Sequence, residues 1–236
     1  MGRALAILAL ICVVVGCSGG GSSGSPTSFE VTIENIATSG ALTGSGRPIP
    51  VVLSPGAFAV HSRPAPIFTE GQAARANGLE SLAEDGDPST LAQSLQFVDG
   101  VSLVGLVMTP VGQESGGLLA PGQSYRLVVR AEPGANLSIA LAFLQSNDLF
   151  LSPGAAGIPL FDVNGTPVSG DVTGSFQLWD AGTEVNQQPG LGPDQPANQP
   201  APNTGAAEGG VVRPVSDGFS YPSVAQVVRV VVTPKP

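Results

Sequence analysis

Cysteine is nearly absent: the chain has two, Cys12 and Cys17, and both fall before Ser18. Whatever folds after that point has no disulfide, no thiolate nucleophile and no cysteine metal site, so its stability must come from burial. Charge is scarce too, at 11% of residues, with nine Lys and Arg against eighteen Asp and Glu and a formal balance of −9. Without clustered Lys and Arg the chain has no electrostatic hold on phosphate backbones, which argues against nucleic acid as a partner. The same acidity suits cations. Aromatic rings are few, with one Trp and two Tyr, so stacking platforms for sugars are lacking. Low charge alone would suggest disorder, but a hydrophobic content of 42%, gathered in Val and Ile runs, supplies enough apolar surface to fold.

What is present begins with an export signal. Arg3 supplies a positive n-region, and Ala4 to Val15 is an uncharged apolar run, too short to span a bilayer, which takes about 20 apolar residues as a helix. The run ends in Val14-Val15-Gly16-Cys17, which resembles the bacterial lipobox, where a small residue precedes a cysteine that is acylated before cleavage. The resemblance implies a signal peptide over 1–16, a lipid on Cys17 that holds the protein to a membrane, and export to the cell envelope. Ser18 stands where an aspartate commonly retains lipoproteins in the inner membrane, so the outer membrane or cell surface is the expected place. Gly and Ser crowd the stretch up to Ser28, so 17–28 reads as a flexible tether, leaving 29–236 as one domain.

The domain opens on Phe29-Glu30-Val31-Thr32-Ile33-Glu34-Asn35-Ile36. Phe29, Val31 and Ile33 alternate with polar neighbours, as one buried face of a sheet requires. Val101 to Met108, Tyr125 to Ala131, Leu137 to Gln145, Ser175 to Trp179 and Val227 to Thr233 read the same way, punctuated by Gly and Pro. The pattern is all-β. Thr69-Glu70-Gly71-Gln72 has capping-box spacing and leads into Ala73, Ala74, Leu79, Leu82 and Ala83, which predicts a helix over 70–84, ending at Gly86. A further helical turn is expected from Asp87-Pro88, with Asp87 as N-cap. Residues 186–210, rich in Pro, Gln, Asn and Gly, should form a long irregular loop, and Asn164-Gly165 a tight hairpin turn.

Two acidic clusters come directly after strand-like runs: Ser146-Asn147-Asp148, and Asp180-Ala181-Gly182-Thr183-Glu184. If the two strands run the same way, Asp148, Asp180 and Glu184 converge at one end of the domain. Carboxylates brought together repel unless a cation lies between them, and Ca²⁺ takes about 6 to 8 oxygen ligands. The spacing does not match an EF-hand loop. The competing reading of the same residues is that Asp and Asn at strand ends serve turns by bonding their own backbone.

At these residues the chain resembles the spondin domain family, found in the matrix proteins F-spondin and mindin and in bacterial secreted proteins. The resemblance rests on Phe29 to Asn35, on Ser54-Pro55 with His61, on Leu82-Ala83-Glu84-Asp85-Gly86, on Ser146 to Phe150, and above all on Asp180-Ala181-Gly182-Thr183-Glu184. It implies a C2-like antiparallel β-sandwich with a calcium ion held by loops at one end, and an adhesion or recognition role towards a protein or glycan ligand. Carried over by position, Asp148, Asp180 and Glu184 would hold the metal. Glutamate at 184 departs from the aspartate usual there, and this chain lacks the cysteines of the animal members.

Catalytic equipment is thin, and no enzyme activity is expected. His61 is the only histidine, and the adjacent Ser62 is badly placed to be its partner in a triad, which needs a third orienting group; a structural role suits it better. The acidic pair could serve a glycosidase, but the scarcity of aromatic residues argues against this. Glu84-Asp85-Gly86-Asp87 resembles a metal loop yet sits where a helix ends. A purely structural envelope lipoprotein, with the 186–210 loop as its contact surface, is the other alternative.

Overall fold

The computed structural model describes residues 25–236; the signal segment 1–16, Cys17 and most of the tether lie outside the described residues. Thr27 and Ser28, expected in the tether, already belong to the first strand, β1 (Thr27–Asn35). The chain continues through β2 (Leu42–Gly44), β3 (Arg47–Ile49), β4 (Leu53–His61), helices α1 (Leu79–Asp85) and α2 (Ser89–Leu95), β5 (Val101–Val107), β6 (Ser124–Ala131), β7 (Asn136–Phe143) and β8 (Leu149–Pro153). It ends with β9 (Ile158–Pro159), β10 (Gly170–Asp171), β11 (Phe176–Asp180), β12 (Arg213–Pro214), the one-turn α3 (Val224–Val227) and β13 (Val228–Lys235). The product is an all-β antiparallel sandwich with short helices.

One sheet has the order β10-β13-β1-β6, the other β12-β11-β8-β7-β4-β5, with β9 also paired to β7 and with β2 and β3 forming a separate hairpin. Phe29, Val31 and Ile33 of β1 and Val228, Val230 and Val232 of β13 point into the core between the sheets, where they meet Leu137, Ile139, Leu141 and Phe143 of β7. On the outer face of the first sheet Glu30 pairs with Arg126 and Lys235. The second sheet is covered on both sides. Its far face carries the small residues Ala57, Ala59 and Ala140, which let Leu79, Leu82, Leu91 and Leu95 of the helices approach closely. Phe68 fills the remainder, 5.4 Å from the Phe150 ring and 4.8 Å from Trp179.

The expected helix over 70–84 shrinks to α1. Gly78 adopts φ 93° at its start, and an added Cβ there would lie 2.7 Å from the Thr90 backbone, so contact with α2 stops the helix from growing backwards. At its other end Gly86, with φ 74°, caps it as expected. The Asp87 carboxylate accepts the N–H of Ser89 at 2.9 Å, which starts α2 one residue later than the Asp87-Pro88 pattern suggests. Residues 186–210 contain no helix or strand, and Asp162 and Thr166 close the expected Asn164-Gly165 turn.

Besides the strands of two or three residues, two longer ones escaped the alternation pattern. β4 contains Pro55-Gly56, which reads as a turn, but its register to β7 shifts between Leu53 and Gly56; the Ser54 hydroxyl there accepts the N–H of Ala142 at 2.8 Å, replacing a ladder bond. β8, Leu149-Phe150-Leu151-Ser152-Pro153, is buried at every position, so it shows no alternation. These two strands matter for the site, because β7 pairs antiparallel with β8 and β8 with β11. β7 and β11 therefore run in the same direction, and the turns that leave them emerge at one end of the sandwich.

Candidate metal centre

Asp148 lies just before β8 and Asp180 at the end of β11, whose register places Asp180 opposite Leu149. Both are fully buried. With Glu208, an exposed residue of the long loop, they offer carboxylate oxygens that all lie within 4.8 Å of one another, a group able to hold a metal ion. The group is closed from behind by main chain. Gly182 has φ 69°, and an added Cβ there would sit 2.6 Å from the Val211 nitrogen, so only glycine lets the two stretches touch. The contact runs on through Gly210 N–H to Gly182 O, Glu208 N–H to Thr183 O and Val185 N–H to Ala206 O, which makes 182–185 and 206–210 the stem of the 186–210 loop.

The three carboxylates are not equivalent. Asp180 is saturated: one oxygen accepts the Gly182 N–H at 2.7 Å, and the other accepts Asn186 Nδ2 at 2.9 Å and the Arg213 guanidinium at 2.8 Å. The same Arg213 nitrogen reaches Glu208 at 2.7 Å. Asp148 is one-sided. Its Oδ2 accepts the N–H groups of Thr183 at 3.0 Å and Glu184 at 3.1 Å, with the Thr183 hydroxyl at 3.4 Å, whereas its buried Oδ1 has no partner. Burial, and then the charge of Asp180, push the Asp148 carboxyl up to about 7, against the two N–H groups that favour its ionised form. Burial also raises Asp180, opposed by the Gly182 N–H and Arg213.

Glu184, the third acid expected at the metal, contributes its main chain to Asp148 and turns its carboxylate elsewhere. One oxygen accepts Asn147 Nδ2 at 3.2 Å and the other the Gly205 N–H at 2.8 Å. Burial raises its carboxyl and these two donors oppose the rise. Glu208 takes its place beside the two aspartates. Nothing in the sequence marked Glu208, since it stands in a low-complexity loop far along the chain, and only the stem pairing carries it in.

A second buried acid was passed over. Glu84, read from the sequence as the end of a helix, is buried with neither oxygen hydrogen-bonded. Burial pushes it up to about 7, the Thr183 hydroxyl beside it opposes the rise, and Glu184, Glu80 and Asp85 add to it. An open cavity of about 360 Å³, lined by Glu80, Ser81, Glu84, Asp85 and Asn203 among others, leads to this acid from outside.

His61 is bound away from Ser62. Its Nδ1 donates to Arg63 O at 2.6 Å, which leaves Nε2 to accept the Ser138 hydroxyl at 2.9 Å. Ser138 and His61 are both buried, and an added Cβ at Gly157 would lie 2.8 Å from Nε2. A serine and histidine bonded in this way tie β4 to β7. The fold and the site together define an antiparallel β-sandwich with an acidic tip able to take a cation. No family model matches the chain, and no curated protein matches it either.

Proposed function

We propose that the acidic tip binds one calcium ion, and that the protein is an exported, lipid-anchored binding domain of the spondin-like kind, turned towards a protein or glycan ligand. The observation that carries the reading is the unpartnered Oδ1 of Asp148. A buried carboxylate oxygen without a donor costs stability unless a proton or a cation meets it. Near neutral pH, beside Asp180, a cation serves better, because it also offsets the repulsion between the two acids. Asp148 and Asp180 are its ligands, and Glu208, whose carboxylate lies within 4.8 Å of both, completes an all-oxygen set. Oxygen-only donors on irregular loops suit Ca²⁺ better than Mg²⁺, which demands a near-octahedral cage. The lipobox-like Val14-Val15-Gly16-Cys17 supports an exported, anchored protein, whose tip would meet the calcium found outside the cytoplasm.

Differential scanning calorimetry tests this. A ligand held only by the folded state raises its stability as RT ln(1 + [L]/Kd), so millimolar calcium should raise the melting temperature over that in EDTA, and magnesium should do less. Equal melting temperatures in calcium and chelator would remove the metal from the account.

A further inference from the structure

Among the described residues the sandwich has four terminal strands in its two main sheets, and three are blunted as edges of monomeric proteins usually are, by shortness, charge or proline. β12 is only Arg213-Pro214, β10 only Gly170-Asp171 beside Arg229, and β6 carries Arg126 and Arg130. The fourth edge is bare. β5, Val101-Ser102-Leu103-Val104-Gly105-Leu106-Val107, has no charge and no proline, and after one irregularity at its start its residues 103–107 keep unbroken register with β4. From Gly100 to Tyr125 the only charged residue is Glu114. Large apolar side chains stand exposed along this side, Leu106 at 38%, Met108 at 43%, Val111 at 49% and Leu118 at 53%.

We propose that β5 is a pairing edge, and that its occupant is the β5 strand of a second copy, joined antiparallel about a two-fold axis. Charge selects this occupant. Two molecules each carrying a net −9 repel over most of their surfaces, but the β5 strands themselves bring no charge to the seam. A pair centred on Gly105 sets Leu103 opposite Val107 and Val104 opposite Leu106, so apolar side chains face each other across the seam, with Met108 and Leu118 extending the contact beyond the strands. The free N–H and C=O groups on the outer side of β5 then gain partners, and one continuous sheet runs through both molecules. The proposal is independent of the cation at the tip.

Sedimentation equilibrium of the wild-type chain, in calcium and in EDTA, should show a concentration-dependent monomer–dimer equilibrium in both. Across the seam the two copies of residue 106 are diagonal neighbours, about 7–8 Å apart. Leu106→Lys alone and Leu106→Glu alone should each weaken the dimer at least tenfold, mixing the two should restore it, and Leu106→Thr, uncharged and strand-forming, should keep it. Hydrogen exchange on the wild type gives a reading independent of any variant's folding: amides in 103–107 should grow more protected with concentration. A wild-type chain that stays monomeric at millimolar concentration, a dimer indifferent to both charges, a mixture that fails to recover, or exchange in β5 that ignores concentration would each overturn the proposal.

Discussion

Asp148 Oδ2 accepts the main-chain N–H of Glu184 at 3.1 Å, so the turn after β11 is anchored on the acid that precedes β8. This bond fixes where the charge of Asp148 can be answered. Its Oδ2 side is occupied by backbone and the Thr183 hydroxyl, and only Oδ1 is left without a donor among the described residues.

Asp148→Asn should change sign with calcium. In EDTA the substitution removes a buried negative charge next to Asp180 and leaves a side-chain oxygen to accept the Thr183 and Glu184 N–H groups, so the variant should equal or exceed the wild type by about 1 kcal/mol. In millimolar calcium it should fall below the wild type, having lost a ligand. Urea unfolding of both proteins under both conditions reads the crossing; a variant equally destabilised with and without calcium would show that Asp148 serves the turn alone.

The pH dependence of the metal-free protein comes from the same acids. Folding raises the carboxyls of Asp148 and Glu84 from their ordinary values of 3.8 and 4.5 to about 7, so between about 4 and 7 the folded state holds more protons than the unfolded one. Stability then falls as pH rises through that window, by on the order of 4 kcal/mol from Asp148. Saturating calcium should flatten or reverse the slope, because it favours the ionised forms. His61 acts oppositely: burial lowers it from 6.5, so its contribution is present above that value and is lost as pH falls below it. Denaturant midpoints from pH 4 to 8, with and without calcium, separate these effects, since only the carboxylate slope responds to the metal.

Gly157→Ala should destabilise the fold by about 1–3 kcal/mol through two costs at one position. Its φ of 75° suits glycine, and the new methyl would press on His61 Nε2 and Ser138 Oγ, 2.8 and 3.1 Å from the ideal Cβ. Chemical denaturation measures the loss, and the His61 ring signals in NMR should shift as the bond to Ser138 is disturbed. Calcium affinity should stay as it is.

Much of the sandwich was legible because strands with one wet face alternate, as β1 and β6 do with Phe29, Val31 and Ile33 or Tyr125, Leu127 and Val129. β4 and β8 were hidden for opposite reasons, one by a proline tolerated at a bulge and one by burial on both faces. At the site, Asp148 and Asp180 could be found because acids directly after strands inherit the direction of the sheet. Glu208 could not, since only a loop stem brings it in and that contact leaves no local pattern; the acidic run at Glu84 was visible but read as a helix end. Glu184 shows the limit of motif spacing. Its position beside Asp148 was legible, but the direction of its carboxylate depends on Asn147 and Gly205, and an added Cβ at Gly205 would overlap that carboxylate.

Arg213 already does, for half of the cluster, what a cation would do for the rest. One guanidinium nitrogen lies 2.8 Å from Asp180 and 2.7 Å from Glu208, which holds those two acids together without metal. Arg213→Gln removes the charge while leaving a polar side chain of moderate length. In EDTA it should destabilise the protein by about 2–4 kcal/mol, because Asp180 is fully buried and loses its counter-charge while keeping only the Gly182 and Asn186 donors. In calcium the loss should shrink, since the ion can then draw on Asp180 and Glu208 together with Asp148. Melting temperatures of the wild type and the variant across a calcium titration decide the matter: the variant should gain more from calcium than the wild type does. An equal gain would mean that Arg213 and the ion never share an acid, and would count against Asp180 and Glu208 as ligands.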